Sequence, residues 1–407
     1  MADYEALELE IRRGRYEETK QQIIKLSTAS ETKEQLMLVR IYLRQRNLTE
    51  AYRILGKLDD RDLSPREKAE VLILKSDVLW YQGNHQANSA ALERQEQHLL
   101  IYPNLENEIK PVLLYQKGRN TAQVRSTSIG LDFYRPAAKL FPKSSFKYYE
   151  AWNLNRIGVV GHSLEDLEKS LKLFEKLEDV QGIANTLINL ASQYLNQENR
   201  DGAKIYLDKL GALDSNDPFV QLQYDLTKGM YLMRGPRMRD LTEAQILFEK
   251  ILRSSNPDRK AKYIALSNLI EVNIYEIRAN NNVVVLTETI KLVDDLKRIG
   301  EDYGDYKTIC ECLIFQSKLH MVNGDVPTAK KILKQANDFA KKNNIPDFAE
   351  EVKIARAELD AEITRMGHMI ADEITLSDRI QRARIESYIP KAMDLVKSLK
   401  EGEANQS

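Results

Sequence analysis

A two-helix beat recurs along this 407-residue chain and is clearest from about Trp152 to Lys341. A small residue marks the waist of one helix. Twelve residues on, a small residue recurs in the next helix, with a large apolar residue four further along. Ala191, Ala203 and Leu207 follow this pattern, and so do Ser317, Ala329 and Leu333. Self-similarity at a period of about 30 to 45 residues marks stacked helical hairpins. A lone amphipathic hairpin cannot bury its apolar stripe, so each unit needs neighbours. The small residues let the two helices of a hairpin touch, and the large ones fill the groove between hairpins. The expected fold is all-α, an α-solenoid of antiparallel helix hairpins, an architecture that most often binds other proteins.

Composition is consistent with that reading. The chain is 43% hydrophobic and 30% charged, enough for a core but too long for one compact domain. A solenoid removes the size limit, because each unit packs only on its neighbours. Glycine (17) and proline (11) are scarce against average usage of about 7% and 5%, which favours helix. Lys and Arg (60) nearly cancel Asp and Glu (61), so nothing global points to nucleic acid or an anionic membrane. The two cysteines, Cys310 and Cys312, exclude a disulfide framework and fit a reducing cytoplasm. The first residues, MADYEALELEIRR, lack the apolar core of a signal peptide. No apolar run approaches the roughly 18 residues of a membrane span. A cytoplasmic protein with no membrane partner is expected.

Helical periodicity places hairpins at Asp3–Arg13 with Glu17–Leu26, at Glu34–Gln45 with Thr49–Lys57, and at Pro65–Tyr81 with Gln86–Ile101. Thr49 is the expected cap of its helix, and Ser64-Pro65 is a strong start signal. Between Asn104 and Ser145 the prolines Pro111, Pro136 and Pro142 break the pattern. One or two helices in poor register are expected there, at Asn107–Lys117 and Thr121–Leu140, with a kink, insertion or boundary. Regular pairs return from Phe146 and run to Asn343, followed by a capping helix at Pro346–Arg365 and a short C-terminal helix. The expected division is 1–103, 104–145, 146–366 and 367–407.

The waist residues carry a resemblance. Leu190-Ala191 and Tyr194 are followed by Ala203, Leu207 and Leu210; Ile157-Gly158 is followed by Ser170, Phe174 and Leu177. Gly324-Asp325 turns the chain before Ala329, Leu333 and Ala336. At these residues the chain resembles the tetratricopeptide repeat family, well from about Phe146 to Lys341 and loosely over 1–101. Its long, degenerate units look like prokaryotic regulatory and adaptor members. The resemblance implies a right-handed solenoid and a scaffold or adaptor role. It also implies that the first helix of each hairpin lines a concave groove. By position, that groove would show Asn155, Arg156, Asn185, Asn189, Gln223, Thr227, Asn268 and Glu271. Asparagine offers a donor and an acceptor together and suits a peptide backbone. The carboxylate clamp of some co-chaperone relatives is not reproduced: Asn155 stands at its first lysine position and Val159 replaces its asparagine.

Catalytic and metal signatures are not found. His85, His98, His162, His320 and His368 have no partner at ligand spacing. No phosphate-binding glycine loop stands in the chain. Cys310 and Cys312 point about 200° apart on a helix, one expected in the core and one on its flank. Neither an enzyme nor a cofactor or metal is expected. A different signal is the basic stretch Lys110, Lys117, Arg119, Arg125, Arg135, Lys139, Lys143 and Lys147. Phe133, Tyr134, Phe141, Phe146 and Tyr148 interleave with it. Basic plus aromatic is one footprint of single-stranded nucleic acid binding. The favoured reading is that the rings plug the stack while the charges stay wet. The leading function is thus a non-enzymatic scaffold taking a peptide or protein segment in its groove. The alternatives are RNA or DNA binding by 110–148, or a ligand-responsive regulator hinged at 104–145.

Overall fold

Every regular element among the described residues is a helix, and successive helices pair as hairpins. The computed structural model describes residues 4–26, 32–124, 128–213, 217–235, 237–254, 259–303, 305–343, 352–357, 360–361 and 375–383. The first six pairs are α1 (Tyr4–Arg12) with α2 (Tyr16–Leu26), α3 (Thr32–Arg44) with α4 (Leu48–Asp59), α5 (Pro65–Tyr81) with α6 (His85–Ile101), α7 (Glu106–Val124) with α8 (Leu131–Leu140), α9 (Lys147–Val160) with α10 (Leu164–Leu177), and α11 (Val180–Asn196) with α12 (Arg200–Gly211). Then come α13 (Pro218–Met233) and α14 (Met238–Arg253), α15 (Arg259–Asn280) and α16 (Val283–Tyr303), α17 (Tyr306–Val322) and α18 (Val326–Lys342), and last α19 (Leu376–Arg382). The chain forms two compact units, one running to Thr227 and the other from Lys228. The regular solenoid class expected from periodicity is therefore the observed one.

One local device makes the turns. A residue with positive φ is followed at once by a side chain that caps the next helix. It recurs at Arg46-Asn47, Gly83-Asn84, His162-Ser163, Glu178-Asp179, Glu198-Asn199 and Gly324-Asp325. The left-handed residue reverses the chain, and the cap accepts a backbone N–H that the new helix would leave unpaired. Asn47 rather than Thr49 is the cap of α4, accepting from Glu50 N at 3.3 Å. Thr49 lies inside the first turn because the reversal is one residue long. Ser64 forms the expected capping box with Glu67.

The waist residues are the close approaches. A Cβ on Gly158 would stand 2.6 Å from Leu167 Cγ, so α9 and α10 can touch only with glycine there. Ser170 Oγ donates to Ala151 O and Ser317 Oγ to Ala329 O, both at 2.8 Å. Ala191 and Ala203 are fully buried.

The proline-rich stretch is a hairpin of the stack, not a break in it. The helix expected to end at Lys117 continues through Thr121 to Val124, with Pro111 inside it. It packs on α5, α6 and α8, and α8 packs on α9. Gln116 Nε2 donates to Ile73 O at 2.9 Å, and Ser144 Oγ to Glu108 O at 2.9 Å. Those bonds hold the register that the sequence pattern alone does not show. Residues 125–127 lie outside the described residues.

In the second unit, α17 lies between α16 and α18. Both cysteines are therefore buried, correcting the expectation of one flank residue: Cys310 packs on Ala340 and Phe339, and Cys312 faces the main core of that unit. Leu376 and Ile380 of α19 and Val352 and Ala355 join the same core. Most of the expected capping helix Pro346–Arg365 lies outside the described residues. No described helix is long and apolar enough to cross a membrane. Among the described residues, no group of His, Cys, Asp and Glu could hold a metal ion.

Candidate binding surface on the inner face of the first unit

The first helices of successive hairpins in the first unit bring aromatic and arginine side chains together. Trp80 and Tyr81 close α5; Tyr115 and Arg119 stand on α7; Tyr148, Trp152 and Arg156 recur every four residues along α9. Contacts skip whole hairpins. Arg156 of α9 reaches to 5.9 Å from the Trp80 ring of α5, and Arg44 of α3 lies 5.4 Å from the Tyr148 ring of α9. The Arg119 guanidinium sits 4.3 Å over Trp80 and Arg46 sits 4.0 Å over Tyr81, both within cation–π range. Trp80, Tyr81, Tyr148, Trp152 and Arg156 all keep part of their surface accessible. Burial nevertheless pushes the Tyr148 hydroxyl far up from its ordinary value.

Asp77 anchors this wall. Its Oδ1 accepts from Gln116 Nε2 at 2.9 Å and from Arg119 Nη2 at 2.5 Å, and its Oδ2 accepts from the Tyr149 hydroxyl at 2.6 Å. Burial works against the Arg119 charge, but Asp77, together with Tyr115 and Tyr81, outweighs it and holds the guanidinium above its ordinary value. Burial also raises the Tyr81 hydroxyl, but Arg46 and Arg119 outweigh it and leave the phenol below its ordinary value. Arg46 and Arg119 thus favour the charged form of the Tyr81 hydroxyl.

A clasp closes the unit on itself. The N-terminal hairpins meet the sixth and seventh: Arg44 pairs with Asp179, the side chain that also caps α11. Tyr16 donates to Asp217 Oδ2 at 2.8 Å, and Gln181 Nε2 reaches both the Tyr16 hydroxyl and Asp217 Oδ2 at 2.9 Å. Arg13 pairs with Glu178 at 2.6 Å on the outside. No sequence pattern signals Arg44 with Asp179, Tyr16 with Gln181 or Tyr16 with Asp217, whose partners lie 135 to 201 residues apart.

The residues expected to line the groove divide between the two units. In the first, Asn155 is 1% exposed. It donates to Thr186 Oγ1 at 3.0 Å and accepts from Asn189 Nδ2 at 3.0 Å. Asn189 also donates to Asn185 Oδ1 at 3.3 Å. These asparagines form a ladder that ties α9 to α11. Asn185 and Arg156 remain partly accessible. Gln223 and Thr227 are buried, with Thr227 Oγ1 bonded to Gln223 O. In the second unit Asn268 is buried on Ile264 O, and buried Glu271 meets Arg234 at 3.5 Å. Trp80, Tyr148 and Trp152 of the first unit are part-accessible, and they are not among the residues expected at the groove. The spacing of Tyr148, Trp152 and Arg156 on one helix face was the available signal.

The basic stretch is taken apart by folding. Arg119 turns inward to Asp77, while Lys110 pairs with Glu106, Lys117 with Glu96 and Lys147 with Glu150. Arg135, Lys139 and Lys143 are exposed, and Arg125 lies outside the described residues. Tyr134 and Phe141 are core residues, and Phe146 and Tyr148 pack against Tyr149. Arg119 departs from the expectation that the charges stay wet, being buried against rings, while the other described basic side chains of the stretch are partly or fully exposed.

No protein-family model matches the chain. No curated protein matches it either. Among solved structures it is similar to the apo form of the quorum sensor NprR from B. thuringiensis, at 14% identity over 83% of this chain and 96% of that one, with a TM-score of 0.50. NprR in complex with its cognate peptide NprX aligns at 12% identity over 91% of this chain and 99% of that one, with a TM-score of 0.48. A circular tandem repeat protein aligns at 14% identity over 97% and 89%, with a TM-score of 0.20. The likeness to apo NprR is one of fold, and with the hairpins described above it makes this chain a tetratricopeptide-like stack of helical repeats.

Proposed function

We propose that the first unit receives a peptide or protein segment on its inner wall and that the protein acts as a binding module. The observation that carries this reading is the converging set Trp80, Tyr81, Tyr148, Trp152 and Arg156, deep in the unit yet still accessible. Rings with a polar edge and a guanidinium are the side chains that contribute most to peptide affinity. The fold shared with NprR, a quorum sensor crystallised with a cognate peptide, is in keeping with it. Affinity capture from native lysate tests the proposal. Trp152→Ala, on the wall, and Asn185→Ala, at a partly accessible position of the asparagine ladder, are each expected to lower recovery of whatever the wild type retains by at least about tenfold, the loss of roughly 1.4 kcal/mol. Lys204→Ala, on the exposed side of α12, leaves recovery unchanged. Equal recovery from all three would remove the wall as the binding surface.

The clasp supports a second reading, a ligand-responsive regulator in which binding shifts the unit between closed and open forms. A ligand can do this only by preferring one form. Small-angle scattering unchanged by a ligand shown to bind would contradict it.

A further inference from the structure

Two arginines approach one indole on the inner wall, and between them they have one carboxylate. Arg119 lies 4.3 Å and Arg156 5.9 Å from the Trp80 ring. Arg119 is paired with Asp77. Arg156 has no carboxylate partner among the described residues. The buried N–H donors here are also unmatched: Arg119 Nε, Arg156 Nε and Trp80 Nε1 have no hydrogen-bond partner. Arg119 is itself only 6% exposed, so water does not replace the missing acceptor readily. A buried donor left unmade costs about 1–3 kcal/mol, and an uncompensated buried charge more. Three such donors around one ring is a cost that the fold alone does not explain. A ligand offering acceptor oxygens and one negative charge would remove it.

We propose that Arg119, Arg156 and Trp80 form a carboxylate-binding site on the inner wall of the first unit. The site rests on the reading of that wall as a peptide surface, and it names the group on the ligand that anchors there: an Asp or Glu side chain or a C-terminal carboxylate. A carboxylate would supply a negative charge to Arg156, since the one carboxylate here, Asp77, is taken by Arg119. Its two oxygens also match the planar fork of a guanidinium. Trp152 stands one helical turn before Arg156, and Trp80 and Trp152 are the only two tryptophans of the chain. Intrinsic tryptophan fluorescence therefore reports on this wall alone.

The full chain is titrated at constant ionic strength with N-acetylglutamine, which offers only a terminal carboxylate, and with N-acetylglutamate α-amide, which offers only a side-chain one. Inorganic phosphate and chloride are titrated in parallel. At least one carboxylate is expected to give a saturable change in the millimolar range, and the tighter arm identifies the source. Arg156→Gln is expected to weaken it at least tenfold without lowering the thermal midpoint, because no carboxylate among the described residues pairs with that charge. No saturable response to either carboxylate, tighter binding of phosphate, an undiminished response in Arg156→Gln, or a midpoint lowered by several degrees would each overturn the site. Loss of the carboxylate response with partner capture intact would overturn this site while leaving the peptide reading in place.

Discussion

Glu271 shows how one residue sets a pH dependence. Its carboxyl is raised above the ordinary carboxylate range because burial disfavours the charge, and Arg234 only partly offsets this. A raised acid binds its proton more tightly folded than unfolded. Its unfavourable contribution is absent below the unfolded value and grows as pH rises through the folded one. Glu271→Gln is therefore expected to stabilise the second unit at neutral pH and to flatten its pH profile above the ordinary carboxylate range, measured by denaturant titration at several pH values. At the turns, Glu198 holds φ at 57° with its side chain exposed. Only glycine adopts that conformation without strain, so Glu198→Gly is expected to raise stability by up to about 1 kcal/mol. A loss of stability would contradict the reading of that residue as strained.

At the scale of elements, the hairpin waist is the contact on which the repeat depends. Gly158→Ala would drive a Cβ to 2.6 Å from Leu167 Cγ and 2.9 Å from Leu167 N. Backbone cannot yield as a side-chain tip can, so a loss of about 1–3 kcal/mol is expected in thermal or denaturant unfolding. These waists were legible in the sequence because they rest on local spacing: Gly158 with Ser170, Ala191 with Ala203 and Ser317 with Ala329 are all twelve apart. The hairpin at 106–140 was less legible, because Pro111 and Pro136 mask a register fixed by long-range bonds such as Gln116 to Ile73 O. The candidate site was less legible still. Position within a repeat led to the first helices, but not to which of their faces the packing leaves accessible. Asn155 and Asn189 turned to each other, and Arg119, read as part of an exposed basic run, turned inward to Asp77.

At the scale of the whole molecule, the first unit is a stack whose early and late hairpins are tied together. Asp179 is fully buried, caps α11 and pairs with Arg44, itself nearly buried. Removing one partner strands the other, so Arg44→Met is expected to cost about 3–5 kcal/mol, while Arg44→Met with Asp179→Asn recovers part of it. A double variant no better than the sum of the singles would show the pair to be uncoupled. The central claim is that this closed unit binds a peptide or protein segment on its inner wall. Hydrogen–deuterium exchange with and without the captured partner tests it most directly. Added protection confined to α5, α7, α9 and α11 is the expected result; protection confined to the second helices of the hairpins, or absent from the first unit, would contradict it.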